Sequence, residues 1–190
     1  MFKRIQKFDE GVSLYWYWNN RHFSEKTKRF LRSYVRLGDG YVWILFAIVL
    51  FIHIGWRAFI PVAMEAAIVT GISLGLYELI KLTVKRPRPF VVLDSIKPQV
   101  PPMDEYSFPS GHTMNNFAVA MTMTAAMPYY GWVMLLFPMS WGLLRVYFGV
   151  HWFTDIICGF LLGVVCFGLT HGIWYFLSPV LADLLPMLTF

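Results

Sequence analysis

Five long apolar segments dominate the chain and leave few folds open to it. They cover roughly Tyr41–Trp56, Ala58–Val84, Thr113–Met127, Trp132–Tyr147 and Thr154–Leu177. A membrane-crossing helix needs about 20 residues. The second and fifth meet that length alone, and the first suits a tilted helix or a thinned bilayer. The third and fourth read as a helical hairpin broken at Pro128, with Tyr129-Tyr130-Gly131 as its tight turn. The remaining tail, Ser178 to Phe190, is too short to cross. The expectation is an all-α integral membrane protein, a bundle of about five to six transmembrane helices formed by residues 41–190.

Composition agrees with a lipid environment. Only 14% of the residues are charged, where a soluble domain carries about 25%. The 8 Trp, 10 Tyr and 17 Phe suit rings placed at headgroup level. The first forty residues differ from the rest. They hold Leu14-Tyr15-Trp16-Tyr17-Trp18, then Arg21, Lys26, Lys28, Arg29, Arg32 and Arg36, with Phe30, Leu31, Tyr34, Val35 and Leu37 at helical spacing. That pattern predicts one or two amphipathic helices lying in the interface over residues 1–40, closed by Gly38-Asp39-Gly40. The Gly11–Trp18 patch is too short for the core of a cleavable leader.

The net charge of +5 suits anionic headgroups. Nucleic acid is a poor partner for this chain, because no basic stripe falls in a soluble segment of domain size. Cys158 and Cys166 sit in one apolar stretch and read as small core residues. Their spacing suits neither a metal pair nor a disulfide framework.

Threading the chain through five spans brings the N-terminal region, the linker Lys85–Gly111 and the Arg145–Asp155 turn to one face. The linker carries Pro87, Pro89, Pro98, Pro101, Pro102 and Pro109, too many for a continuous helix. Three polar motifs therefore converge. Lys81 to Arg88 supplies cations and, alone, reads first as a juxtamembrane headgroup-binding cluster, the role left to Lys85 and Arg86. Pro109-Ser110-Gly111-His112 opens a helix; its free amides at the positive end of the helix dipole form an anion site, or simply a cap beside a histidine. Arg145, His151 and Asp155 follow, with the last two at i and i+4. If a helix starts there, Asp155 accepts from one ring nitrogen of His151 and leaves the other free to attack. Arginines match a phosphate bidentately, and a second histidine can protonate a leaving oxygen. No Asp/Glu cluster suggests a metal.

These three motifs resemble the type 2 phosphatidic acid phosphatase (PAP2) superfamily, whose pattern is Lys-x6-Arg-Pro, Pro-Ser-Gly-His and Ser-Arg-x5-His-x3-Asp. Here they read Lys81…Arg88-Pro89, Pro109-Ser110-Gly111-His112 and Arg145…His151…Asp155. The resemblance covers about residues 70–165. It departs at Leu144, where the family has serine, and in lacking a proline between His151 and Asp155. It implies that His151 attacks phosphorus to form a phosphohistidine, Asp155 orients it, and His112 protonates the leaving group. It implies that Lys81, Arg88, Ser110, Gly111 and Arg145 hold the phosphoryl oxygens, with no metal and no cofactor. The implied activity is hydrolysis of a phosphate monoester or diphosphate on a membrane lipid: phosphatidate, phosphatidylglycerophosphate, polyprenyl diphosphate or lipid A phosphate. A lipid phosphotransferase using the same phosphohistidine and a non-catalytic phospholipid-binding or transport protein are the alternatives.

Orientation is left open by two opposed arguments. All the Lys and Arg except Arg57 fall on the motif-bearing face, which places it in the cytoplasm. The resemblance implies a periplasmic site in a bacterial plasma (inner) membrane. Among other residues, Glu78 is placed to pair with Lys81, and Asp104 or Glu105 to brace Arg88. Glu65 is an intramembrane carboxyl, functional or simply hydrogen-bonded. Asn115 and Asn116 are placed to line the cleft or join helices, and His53 and His171 to pack.

Overall fold

A computed structural model describes residues 2–19 and 22–184; Arg21, in the N-terminal basic run, and residues 185–190 of the tail lie outside these. The described residues are all helix, turn and loop, with no strand. Helix α1 spans Phe2–Asn19 and α2 spans Glu25–Arg36. Ser24 caps α2 by accepting from the Thr27 amide at 3.1 Å, the interaction Ser provides at a helix start. A 3-10 turn, Leu37–Asp39, leads through Gly40 into α3, Tyr41–Val84. A one-turn α4, Pro89–Val92, follows, then α5 (Gly111–Ala126), α6 (Pro128–Tyr147) and α7 (Phe153–Leu184).

A straight helix of 44 residues would extend roughly 66 Å, about twice a bilayer core. It does not stay straight. Gly55 has φ 76 and ψ 167, a backbone that side-chain-bearing residues rarely adopt. The chain doubles back there. Trp43 donates to Asn116, and Ser73 donates to Asn115 at 2.5 Å, so residues thirty apart meet the same end of α5. Phe51 and Phe59 close the other end with ring centroids 5.4 Å apart. The two limbs, 41–54 and 56–84, correspond to the first two apolar segments. The reversal falls at Gly55, two residues before the expected Arg57 turn.

Three further boundaries differ from the sequence reading. Tyr129 to Gly131 is the first turn of α6, not a loop. Pro128 at the helix start supplies a fixed φ and lacks only an amide that would be unsatisfied anyway. The proline-rich linker still winds one helical turn, again with proline at its start. Helix α7 continues past Leu177 through Pro179 to Leu184.

Helix α5 is the axis of the bundle, packed on α3, α6 and α7. Its approach to α7 is close because Gly159 and Gly163 face it. A Cβ on Gly163 would lie 2.8 Å from the Met114 carbonyl oxygen, and one on Gly159 3.0 Å from that of Ser110. This small-xxx-small spacing lets membrane helices meet backbone to backbone. Leu50, Val69, Met114, Ala118, Met123 and Cys166 fill the core. A second cluster, with Val35, Trp141 and Phe148, seats α2 against α6.

Two stretches, Tyr41–Val92 and Phe153–Leu181, are long and apolar enough to cross a membrane; α5 and α6 do not reach that threshold. Only 6% and 28% of the residues in their most apolar windows are buried. A soluble core helix would be mostly buried. Here Ile48, Ile52, Leu161, Leu169 and Phe176 present an exposed apolar surface instead, the surface lipid covers.

Candidate active site

At one end of α5 lies a cavity of about 390 Å³, lined by Asp39, Tyr77, Arg88, Asp104, His112, Arg145 and His151 among others. The expected motifs meet there. Arg88 and His151 come from the segments after α3 and α6, Gly111 and His112 from the first turn of α5, and Arg145 from the last turn of α6. Leu144 turns away from the cavity into an apolar cleft with Trp16 and Tyr147, so the family's serine position does not border it in this chain.

His151 precedes α7 rather than sitting in it. The expected i, i+4 pair with Asp155 is present as a long contact made from outside the helix rather than along one helical face. The Nδ1 atom of His151 lies 2.8 Å from the Ser107 carbonyl oxygen, and Asp155 Oδ2 lies 3.6 Å away. A carbonyl can only accept, so Nδ1 carries the proton and Nε2 keeps a lone pair. Nε2 lies 3.5 Å from Arg88 Nη1. Burial is the largest influence on this imidazole and lowers its pKa; Asp155 works the other way, while Arg88 and Arg145 lower it further, to about 4. The ring is neutral at ordinary pH.

Asp155 is buried, and its shorter contacts are to other groups. Its Oδ2 accepts from the Trp152 amide at 2.9 Å and its Oδ1 from Arg86 at 2.6 Å. Arg86 also donates to Asp9 Oδ2 at 2.6 Å. Asp9, buried in α1, accepts from the Thr154 amide at 3.0 Å and from the Thr154 hydroxyl at 2.5 Å. It thereby satisfies an amide at the start of α7. A chain of charges thus runs from α1 through Arg86 to Asp155 and ends behind His151. The sequence reading gave Asp9 no part, and Arg86 only headgroup contact.

Lys81 and Ser110 are placed differently from expectation. Lys81 pairs with Asp104 Oδ2 at 2.6 Å and donates to the Tyr77 hydroxyl; Glu78, its expected partner, lines the cavity instead. Asp104 also takes Arg88 Nη2 at 2.6 Å, so it braces both cations. Burial acts to raise the Asp104 carboxyl. Hydrogen bonds from Lys81 and Tyr77, with the charges of Lys81 and Arg88, outweigh it and hold the pKa at about 2. The Ser110 hydroxyl is buried and accepts from Thr113 at 3.0 Å rather than facing the cavity. Gly111 does face it, and a Cβ there would lie 2.6 Å from the Tyr77 ring. Its amide and the next belong to the first turn of α5, where intrahelical acceptors are lacking.

His112 Nε2 lies 2.6 Å from Asp39 Oδ1, and Arg145 Nη2 lies 3.0 Å from Nδ1 and 2.5 Å from Nε2. Asn115 and Asn116 both line the cavity and join helices. Away from the site, Glu65 is hydrogen-bonded by His171 at 2.7 Å. Among the described residues, no three His, Cys, Asp or Glu side chains cluster as metal ligands.

The fold and the site together define a helical membrane protein with a cavity lined by two histidines and two arginines. Residues 62–178 match the PAP2 superfamily, and the chain belongs to that family. It is an integral membrane protein. It is 33% identical to the undecaprenyl-diphosphatase of Sulfolobus acidocaldarius over 135 residues, 70% of this chain and 63% of that one. It is 30% identical to the undecaprenyl-diphosphatase BcrC of Bacillus subtilis over 98 residues, 51% of this chain and 50% of the other. The chain thus spans less than two thirds of the length of either relative. The crystal structure of the transmembrane PAP2-type phosphatidylglycerolphosphate phosphatase from Bacillus subtilis shares the fold, with a TM-score of 0.66, 22% identity and coverage of 90% of this chain and 86% of the other.

Proposed function

We propose that this protein is a phosphatase of membrane lipid phosphates, acting through a phosphohistidine and without a metal. The meeting of His151, His112, Arg88 and Arg145 around one cavity carries the reading. The named activities of the relatives support it and favour a polyprenyl diphosphate as first candidate substrate, with a phosphatidylglycerophosphate next. In the same reading, the two limbs of α3 with α5, α6 and α7 make five crossings, and α1 and α2 lie in the interface.

Arg88, Arg145 and the Gly111 amide hold the phosphoryl oxygens, joined by Lys81 once the substrate draws it from Asp104. Nε2 of His151 attacks phosphorus. The P–N bond forms as the P–O bond to the lipid or diphosphate oxygen breaks, and His112 gives that oxygen a proton. Water then attacks the phosphohistidine, His112 takes its proton, and the P–N bond breaks to release inorganic phosphate. Charge stabilisation comes from fixed cations and amides in a secluded site.

The test is phosphate release by detergent-purified protein, with EDTA present, across these lipid classes. His151→Ala is expected to abolish release. Full activity in that variant, or EDTA-dependent activity in the wild type, would overturn the reading.

A further inference from the structure

The 3-10 turn Leu37–Asp39 lies outside the family-matched residues 62–178, yet it brings a carboxylate to the cavity. Asp39 Oδ1 lies 2.6 Å from His112 Nε2. Arg145 Nη2 lies 2.5 Å from the same nitrogen; once that guanidinium turns to a bound anion, the carboxylate, which only accepts, keeps the hydrogen on Nε2. The turn is held from several sides. Asn116 Nδ2 donates to the Gly38 carbonyl at 3.0 Å and to the His112 carbonyl at 2.6 Å, tying turn and histidine through one side chain. Trp43 donates to Asn116 Oδ1 and fixes that amide. Gly38 sits against Trp141, where a Cβ would come within 2.9 Å of the ring. Asp39 is therefore set by packing as well as by charge attraction.

We propose that Asp39 is the positioning residue of His112, the counterpart on the leaving-group side of the carboxylate behind His151. This rests on the reading of His112 as proton donor. With Nε2–H tied to Asp39, Nδ1 is the nitrogen that meets the substrate. Arg145 Nη2 lies 3.0 Å from Nδ1 in the substrate-free site, and the bound phosphoryl group takes that guanidinium as its own partner. In the first step the P–N bond to His151 forms and the P–O bond breaks, its electron pair going to the leaving oxygen. A guanidinium only donates, so Nδ1 is unprotonated in the substrate-free site; it takes up the proton of the substrate monoanion as that binds and gives it to the leaving oxygen. Neutral His112 remains, with Nε2–H still on Asp39.

A leaving group that needs protonation should feel the loss of Asp39, and one that does not should be nearly indifferent. The full-length protein in detergent is assayed on hexyl phosphate, which departs as an alkoxide, and on p-nitrophenyl phosphate, whose phenolate departs unaided. Asp39→Asn is expected to lower kcat/KM, which reports the first P–O cleavage and not the shared hydrolysis of the phosphohistidine, roughly 100-fold on hexyl phosphate, within the range of general acid catalysis, and less than about fivefold on p-nitrophenyl phosphate. His112→Gln should show the same selectivity, and the double variant should be no worse than His112→Gln alone. Asp39→Glu should show the same pattern at smaller amplitude, and it carries the comparison should Asp39→Asn not fold. Equal losses on both esters, or losses that multiply in the double variant, would overturn the inference while leaving the phosphatase reading intact. A folded wild type that releases phosphate from neither ester nor any lipid phosphate would defeat that reading, and this inference with it.

Discussion

With Lys81 and the Nη2 edge of Arg88 both held by Asp104, an anion entering the cavity competes with a carboxylate for these cations. Asp104 is thus an internal competitor. Asp104→Asn removes the competing charge, while Arg88 keeps its anchor on the Val150 carbonyl at 2.6 Å. Inhibition by inorganic phosphate is expected to tighten roughly tenfold in this variant, about 1.4 kcal/mol; an unchanged or weaker Ki would contradict the competition. His151 carries the other prediction at this scale. In the proposed mechanism its unprotonated form is the nucleophile, and a pKa lowered to about 4 preserves that form down to acidic pH. The acid limb of kcat/KM, corrected for ionisation of the substrate, should therefore fall below pH 5 rather than near the usual 6.5. A limb near 6.5 would mean that His151 titrates as an exposed imidazole.

At the scale of elements, the N-terminal helix and the central pair have separate jobs. Helix α1 contributes Asp9 to the start of α7 and to Arg86. Asp9→Ala leaves Arg86 with one carboxylate and the Thr154 amide unsatisfied. Breaking such a buried charged contact costs about 3 kcal/mol, so Tm in detergent should drop by roughly 6–12 °C. Activity measured below that Tm should lose kcat, roughly 10- to 100-fold through misplacement of His151, with KM little changed. Gly163→Ala acts differently, by driving a methyl into the Met114 carbonyl and parting α5 from α7. About 1–3 kcal/mol of stability should be lost, seen as a lower Tm in the same assay. The three motifs were legible because each holds its residues within a dozen positions, so that spacing alone displays the pattern. Asp9 and Asp39 were not legible. Their contacts span 145 and 73 residues, and only the packing of α1 and of the 3-10 turn decides where they land. The Gly159–Gly163 spacing was a readable signal that the apolar run around it concealed.

Across the whole molecule, the reversal at Gly55 sets which polar segments share a face. Lys3 and Pro101 belong to the motif-bearing end and Arg57 to the opposite one. In a chain whose Cys158 and Cys166 are replaced by Ala, Lys3→Cys and Pro101→Cys should react with an impermeant thiol reagent from the same side of sealed vesicles. Arg57→Cys should react from the other; a shared side for all three would break the five-crossing arrangement. The apolar runs announced an all-α fold, while the position of the reversal depended on one glycine's backbone.

The buried carboxylate of α1 also bears on how such a protein can be divided. Residues 62–178 carry every motif of the family, yet Asp39, which meets His112, and Asp9, which holds Arg86 against Asp155, lie outside them. The signature could be transplanted whole into another scaffold and arrive without its wiring. A chimera joining this segment to a foreign N-terminus would keep the proposed reacting groups and Asp155, and lose Asp39 and the Asp9 that braces Arg86. Its catalysis would then depend on the new neighbour offering acids of its own at both places.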